Sequence, residues 1–155
     1  MQKRADLPKV DHSAIRVGQG SIVLTLLIAF ILDLWPLVAA VAVINLLGAF
    51  VPSLSLWRLL YQQVLKPSGL IKPHVIPDHP EPHRFAQGFG GVLLVLGALL
   101  LALGFAVGGW IPVWIVILLA TLNLVVGFCL GCFTYYQLNR LGVPGFDRSP
   151  VERGR

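Results

Sequence analysis

The only two cysteines of this 155-residue chain stand three apart, in Phe128-Cys129-Leu130-Gly131-Cys132. A Cys-x-x-Cys pair can exchange with other thiols through a mixed disulfide, hold a soft metal ion, or pack as two small polarisable residues. Residues three apart on a regular helix have Cβ atoms about 5–6 Å apart, whereas a disulfide wants about 3.5–4.5 Å, so closure asks for a distortion that Gly131 can supply. A second group of reactive residues lies between Lys66 and Arg84, where His74, Asp78, His79, Glu81 and His83 are mixed with Pro67, Pro73, Pro77, Pro80 and Pro82. With Cys129 and Cys132, the histidines His74, His79 and His83 offer a mixed sulfur and nitrogen donor set for zinc. Proline at this density favours an extended path, so a solvated connector is the preferred reading, and no metal or other cofactor is expected.

The elements that position these residues are apolar. Phe85 to Asn139 is a run of 55 residues without Asp, Glu, Lys, Arg or His, and Val17 to Trp57 is a run of 41 residues whose only charge is Asp33. Charged residues are 12% of the chain, about half the share of a soluble domain. A conventional soluble domain is excluded. As one helix, 55 residues would be roughly 80 Å long against a hydrocarbon core of about 30 Å, so the run must fold back. Asp33-Leu34-Trp35-Pro36 and Gly108-Gly109-Trp110-Ile111-Pro112 carry turn and interface signals, which predicts two helical hairpins.

The fold class expected is therefore an all-α integral membrane protein with four transmembrane helices in one membrane domain, residues 1–155. Residues 14–65 form the first hairpin plus an interfacial helix that carries Trp57, Arg58 and Tyr61 after Pro52. Residues 66–84 form the Pro- and His-rich linker, 85–141 the second hairpin with the cysteines, and 142–155 a flexible tail. All twelve Lys and Arg residues fall in the N-terminal, central and C-terminal segments, and neither hairpin turn has any. The positive-inside rule then places both termini and the linker in the cytoplasm. The net charge of +5 suits basic loops at an anionic leaflet and calls for no nucleic acid. No cleavable signal is expected, because the apolar run starts after about 16 polar residues. Val17 to Leu32, at 16 residues, is short for a span.

The hairpins also read as copies of one unit. Arg16-Val17-Gly18-Gln19-Gly20 matches Arg84-Phe85-Ala86-Gln87-Gly88, and Asn45 to Phe50 matches Asn123 to Phe128. The cysteines have no counterpart in the first copy. Asn45 and Asn123, deep in apolar helices, suit interhelical hydrogen bonds or substrate contacts. Gly90, Gly97 and Gly104 recur every seven residues, with Gly104 and Gly108 as a small-xxx-small pair, and read as a packing stripe that also permits a homo-oligomer. If the fourth helix starts near Val113, Cys132 reaches the cytoplasmic interface at a helix C-terminal end. There the thiols are kept reduced, a permanent disulfide is not expected, and the dipole disfavours a thiolate.

The chain resembles the bacterial integral membrane family known as domain of unknown function 4395. The resemblance rests on Pro82-His83-Arg84-Phe85-Ala86-Gln87-Gly88 and on Gly127-Phe128-Cys129-Leu130-Gly131-Cys132, followed by Tyr135, Tyr136, Leu138 and Arg140, and it covers about Ala14 to Leu141. It implies a multi-pass protein of the bacterial inner membrane with Cys129 and Cys132 as its cysteine motif. It also implies a setting of thioredoxin-like or rhodanese-like partners beside the lipid bilayer. Three functions remain open. The first is thiol redox or sulfur transfer by the cytoplasm-facing Cys129 and Cys132, which would make the protein an enzyme. The second is a small transporter, or transporter subunit, for a sulfur compound, using Asn45 and Asn123. The third is a non-catalytic membrane scaffold.

Overall fold

The computed structural model describes residues 9–51, 53, 55–69 and 74–146. In chain order these form β1 (Lys9–Asp11), α1 (His12–Ile31), α2 (Trp35–Phe50), α3 (Leu56–Leu60) running into a π-helical turn (Tyr61–Leu65), β2 (Val75–Pro77), α4 (Pro80–Ala102), α5 (Ala106–Val126) and α6 (Leu130–Arg140). Helices α1, α4 and α5 are long and apolar enough to cross a membrane, and α2 is a shorter apolar helix of 16 residues.

Helix α1 starts in the polar segment, five residues before Val17, because the Asp11 carboxylate accepts a hydrogen bond from the Ser13 N–H and so caps a free donor. Its 20 residues span about 30 Å, so the short element of the first hairpin is α2. The first turn falls where the sequence places it, with Asp33 at a φ of 51°. The second does not. Gly108 to Pro112 lie inside α5, and the chain reverses at Leu103-Gly104-Phe105, where Gly104 takes a φ of +85°. Glycine at 104 supplies the left-handed residue that a tight reversal needs. Gly109 is needed elsewhere, since a β-carbon there would lie 2.8 Å from the backbone nitrogen of Leu101.

Close packing between antiparallel helices follows from such small residues. A β-carbon at Gly97 would lie 2.8 Å from Val113 Cγ2 and 2.9 Å from the carbonyl oxygen of Gly109, and one at Gly91 would lie 2.9 Å from Leu46. Helix α4 thus lies between α2 and α5, and α1 packs on α5. Leu26, Val38, Val41, Leu94 and Val113 form the core at the crossing of all four helices. The seven-residue glycine stripe is divided: Gly97 is a helix contact, Gly104 is the turn, and an added β-carbon at Gly90 would meet only Val116 Cγ1, at 4.0 Å. The exterior is apolar, with Leu24, Leu99, Leu118 and Val125 all exposed, as lipid contact requires.

Phe30, near the end of α1, meets Trp110 and Trp114 of α5 edge-to-face at 5.0 and 5.2 Å. Both hairpin turns therefore lie at one end of the bundle. At the other end β1 pairs antiparallel with β2, Val10 opposite Ile76. The segment after α2 turns its aromatics inward: Trp57 Nε1 donates to Asn45 Oδ1 at 3.2 Å, and Tyr61 is buried. Pro52 lies outside the described residues. Beyond α6, Phe146 meets Phe85 and Tyr135 edge-to-face, at 5.4 and 4.9 Å, so the chain stays packed to that point.

The two kinds of glycine make a direct test. Gly97→Ala should destabilise the bundle by about 1–3 kcal/mol, because backbone and Val113 must shift. Gly90→Ala should be near neutral. Thermal unfolding in detergent reads the difference, and equal melting temperatures for the two variants would refute the packing.

Candidate functional site

A helix break just before the cysteines changes their electrical setting. Helix α5 begins at Ala106 rather than near Val113 and is finished by Val126, where Gly127 takes the left-handed conformation (φ 72°) and its N–H closes on the Asn123 carbonyl at 3.0 Å. The cysteines then open a new helix instead of ending an old one. Cys129 is the N-cap of α6, and its sulfur accepts from the Cys132 N–H at 3.2 Å. The expectation of a pair at a helix C-terminal end is overturned, and with it the sign of the dipole. Cys129 and Cys132 are joined as a disulfide with Cα atoms 5.2 Å apart. The N-cap residue's extended backbone (φ −93°, ψ 103°) is the departure from regular helix that closure needs.

Gly131 has another task. A β-carbon there would lie 2.5 Å from Ala86 Cβ and 2.7 Å from Ala86 Cα, so its absence lets the first turn of α6 dock on α4. Docking brings together the two motifs that the sequence holds far apart. Helix α4 starts at Pro80, within the segment expected to be a connector, and places His83 in its first turn. His83 Nδ1 lies 3.4 Å from Cys132 Sγ.

His83 Nε2 lies 3.3 Å from Asp78 Oδ2, and His12 Nε2 lies 3.2 Å from the same oxygen. The other oxygen, Oδ1, accepts from the His79 N–H at 2.8 Å. Burial alone would raise the Asp78 carboxyl, but the hydrogen bonds from His12, His83 and the His79 backbone, together with the electrostatic attraction of His83, outweigh it and hold the group well below the usual carboxylate range. An ionised carboxylate only accepts, so both imidazoles must carry their protons on Nε2. With Nε2 turned to Asp78, His83 presents its Nδ1 to Cys132 Sγ. The row Cys132, His83, Asp78 and His12 is one continuous polar path, with Cys132 buried at 8% exposure and Cys129 more open.

Of the three loop histidines, only His83 reaches the sulfurs. His74 is exposed, its N–H bonded to Ser13 Oγ at 3.1 Å, and His79 is buried with Nδ1 4.0 Å from Glu81. His12 was missed in the sequence because only the β1–β2 pairing carries it to Asp78. Pro80 at a helix start, followed by Glu81 in the first turn, was the signal for where α4 begins and hence for His83.

Asn45 and Asn123 are not at mid-helix. They lie within about two turns of the ends of α2 and α5 nearest the cysteines. Both line a cavity of about 520 Å³, as do Gln19, Gln87 and Cys129. Asn45 is 2% exposed and its Oδ1 is used by Trp57. The Gln87 amide lies over Gly48, where an added β-carbon would come 2.5 Å from Nε2.

Asp78 gives a testable sign. Its acidity is increased on folding, so its stabilisation is present above the unfolded value of about 3.9 and is lost as pH falls through the lower folded value. Asp78→Asn should cost on the order of 1 kcal/mol at pH 7, discounted for partial exposure, and the gap to wild type should narrow below about pH 4. Thermal melts across pH 7 to 3 measure this. A variant as stable as wild type at pH 7 would contradict it.

Neither the curated proteins nor the solved structures contain a match to this chain. A family match does exist, and it spans both motifs that meet at the Ala86–Gly131 contact. Residues 10–140 match the family described as domain of unknown function (DUF4395), and the chain belongs to that family.

Proposed function

We propose that this is a four-span protein of the bacterial inner membrane that exchanges electrons with a thioredoxin-like cytoplasmic partner through Cys129 and Cys132. The carrying observation is Cys129 at the N-cap of α6, where the helix terminus and the Cys132 N–H favour a negative sulfur. In the dithiol form, the more open Cys129 attacks a partner disulfide and forms a mixed disulfide, releasing one partner thiolate. His83 Nδ1 takes the proton of Cys132, whose sulfur then attacks Cys129 Sγ. The Cys129–Cys132 disulfide re-forms and the partner leaves as a dithiol, two electrons richer. The reverse direction uses the same steps backward.

Orientation follows from charge. Among the described residues, Arg16, Lys66, Arg84 and Arg140 all lie away from the turn end of the bundle, which has no Lys or Arg. That distribution supports a cytoplasmic site. Helix α2 runs antiparallel along α4, with Gly91 against Leu46 and Gly88 against Ala49, which supports α2 as the fourth crossing. The duplication is supported by exchanged pairings, α1 on α5 and α2 on α4, and by Gln19 with Gln87 and Asn45 with Asn123 on one cavity.

Cys132→Ser should trap a partner on Cys129 as a mixed disulfide, and Cys129→Ser should not. Non-reducing gels after alkylation of intact membranes read this. Equal trapping by both variants would defeat the assignment of roles, and a pair that never oxidises in cells would defeat the exchange itself.

The cavity favours a second reading, a transporter or transporter subunit for a sulfur compound. Asn45→Ala and Asn123→Ala should then reduce uptake of sulfite or thiosulfate several-fold while leaving the thiols' alkylation unchanged. Uptake indifferent to both substitutions would remove this reading.

A further inference from the structure

We propose that the dithiol form of the protein is a zinc site in which Cys129 Sγ, Cys132 Sγ and His83 Nδ1 are the ligands and Asp78 is the outer partner of the histidine. This goes beyond the exchange reading and does not rest on it, although both use the same sulfurs.

The three ligand atoms lie within 4.8 Å of one another. They come from two elements held in contact by Gly131 and Ala86, so the fold keeps His83 beside the cysteine pair, and reduction of the disulfide frees both sulfurs for an ion. Two sulfurs and one imidazole nitrogen suit zinc and not a hard cation, which would ask for oxygen ligands. The Cα separation of 5.2 Å lets both sulfurs turn to one side of the first turn of α6. The Cys132 N–H already points at Cys129 Sγ, a hydrogen bond that stabilises a metal-bound thiolate as well as a free one.

The imidazole supplies an independent observation. A metal-bound histidine donates its other ring N–H to a carboxylate or carbonyl in most sites, which fixes the tautomer and raises ligand basicity. Here His83 Nε2 faces Asp78 Oδ2 at 3.3 Å, and Asp78 is itself held by His12 and the His79 N–H. Nδ1 is thereby left free toward the sulfurs. Three protein ligands leave the fourth position of the tetrahedron for water or another small ligand.

Binding is balanced simply: one Zn²⁺ enters and the two thiols release two protons. The disulfide has no thiolate to offer, so metal and disulfide exclude one another, and zinc would shield the pair from oxidation.

The test uses the full chain in detergent, reduced with a non-thiol phosphine and titrated with Co²⁺ as a spectroscopic stand-in, then with Zn²⁺ against a chromophoric chelator. One equivalent of Co²⁺ giving thiolate-to-metal charge-transfer absorption, displaced by Zn²⁺, is expected from the reduced protein and not from the oxidised one. That comparison needs no variant. His83→Gln should weaken Zn²⁺ binding at least tenfold, Asp78→Asn about 10–100-fold, and His74→Gln not at all, with helical circular dichroism confirming that each is folded. The proposal is overturned if the reduced protein, its two thiols verified by alkylation, shows no charge-transfer band. It is overturned equally if folded His83→Gln binds as wild type does. Thiols that bind zinc yet never trap a partner would sink the exchange reading and leave this one standing.

Discussion

Gly131 comes so close to Ala86 that a β-carbon at 131 has no room without moving a helix. This contact fixes the first turn of α6 against the first turns of α4. Everything chemical at this end depends on it: the Cys132 sulfur meets His83 because Gly131, one residue earlier, meets Ala86, three residues later. A looser contact would leave two cysteines on one element and a histidine on another, with about 50 residues of sequence between them. The interface is built from small residues in an apolar setting, where close backbone approach and dispersion replace the hydrophobic drive available in water.

The polar groups at this end are organised around Asp78. Two imidazoles and one backbone N–H converge on its carboxylate. A half-buried carboxylate with three donors stays ionised, and an ionised carboxylate dictates the tautomer of each histidine that touches it. The ring nitrogen that faces Cys132 is therefore set by a residue that never touches sulfur. His12 belongs to this arrangement through β1, the short strand that pairs with β2 and holds the start of α1 beside the start of α4. A two-strand ladder is a modest structure, and here its effect is to bring two distant histidines onto one carboxylate.

Much of this was legible in the sequence, and the gaps have physical causes. The charge-free runs announced apolar helices, and Asp33-Leu34-Trp35-Pro36 located the first turn, since a charge beside proline has few other places to be. The second turn was misplaced because glycine serves two purposes with one appearance. Gly108 and Gly109 looked like a reversal, but Gly109 is required for contact with Leu101, and the reversal is made by Gly104. The partners of Trp57 and Tyr61 were not legible, because periodicity gives a face without saying what covers it. His12 was invisible for a different reason: its partner is fixed by strand pairing across more than 60 residues, and three-residue strands leave almost no pattern.

The residue that ends one helix sets the electrical surroundings of the residues that open the next. Helix α5 ends at Val126 because Gly127 takes the left-handed conformation, and Cys129 lies beyond it, at the mouth of α6. A continuous helix would have set the sulfurs among unsatisfied carbonyls, where each end effect disfavours a negative charge by about 0.3–1 kcal/mol. At the N-terminus of α6 the same term changes sign. The swing between the two arrangements is on the order of 1–2 kcal/mol, about a tenfold change in the weight of the thiolate at a given pH. Metal ligation and thiol exchange both proceed through that thiolate. The sign of that term thus traces back to Gly127, whose left-handed conformation ends α5 two residues before Cys129 and leaves the cysteines to open α6.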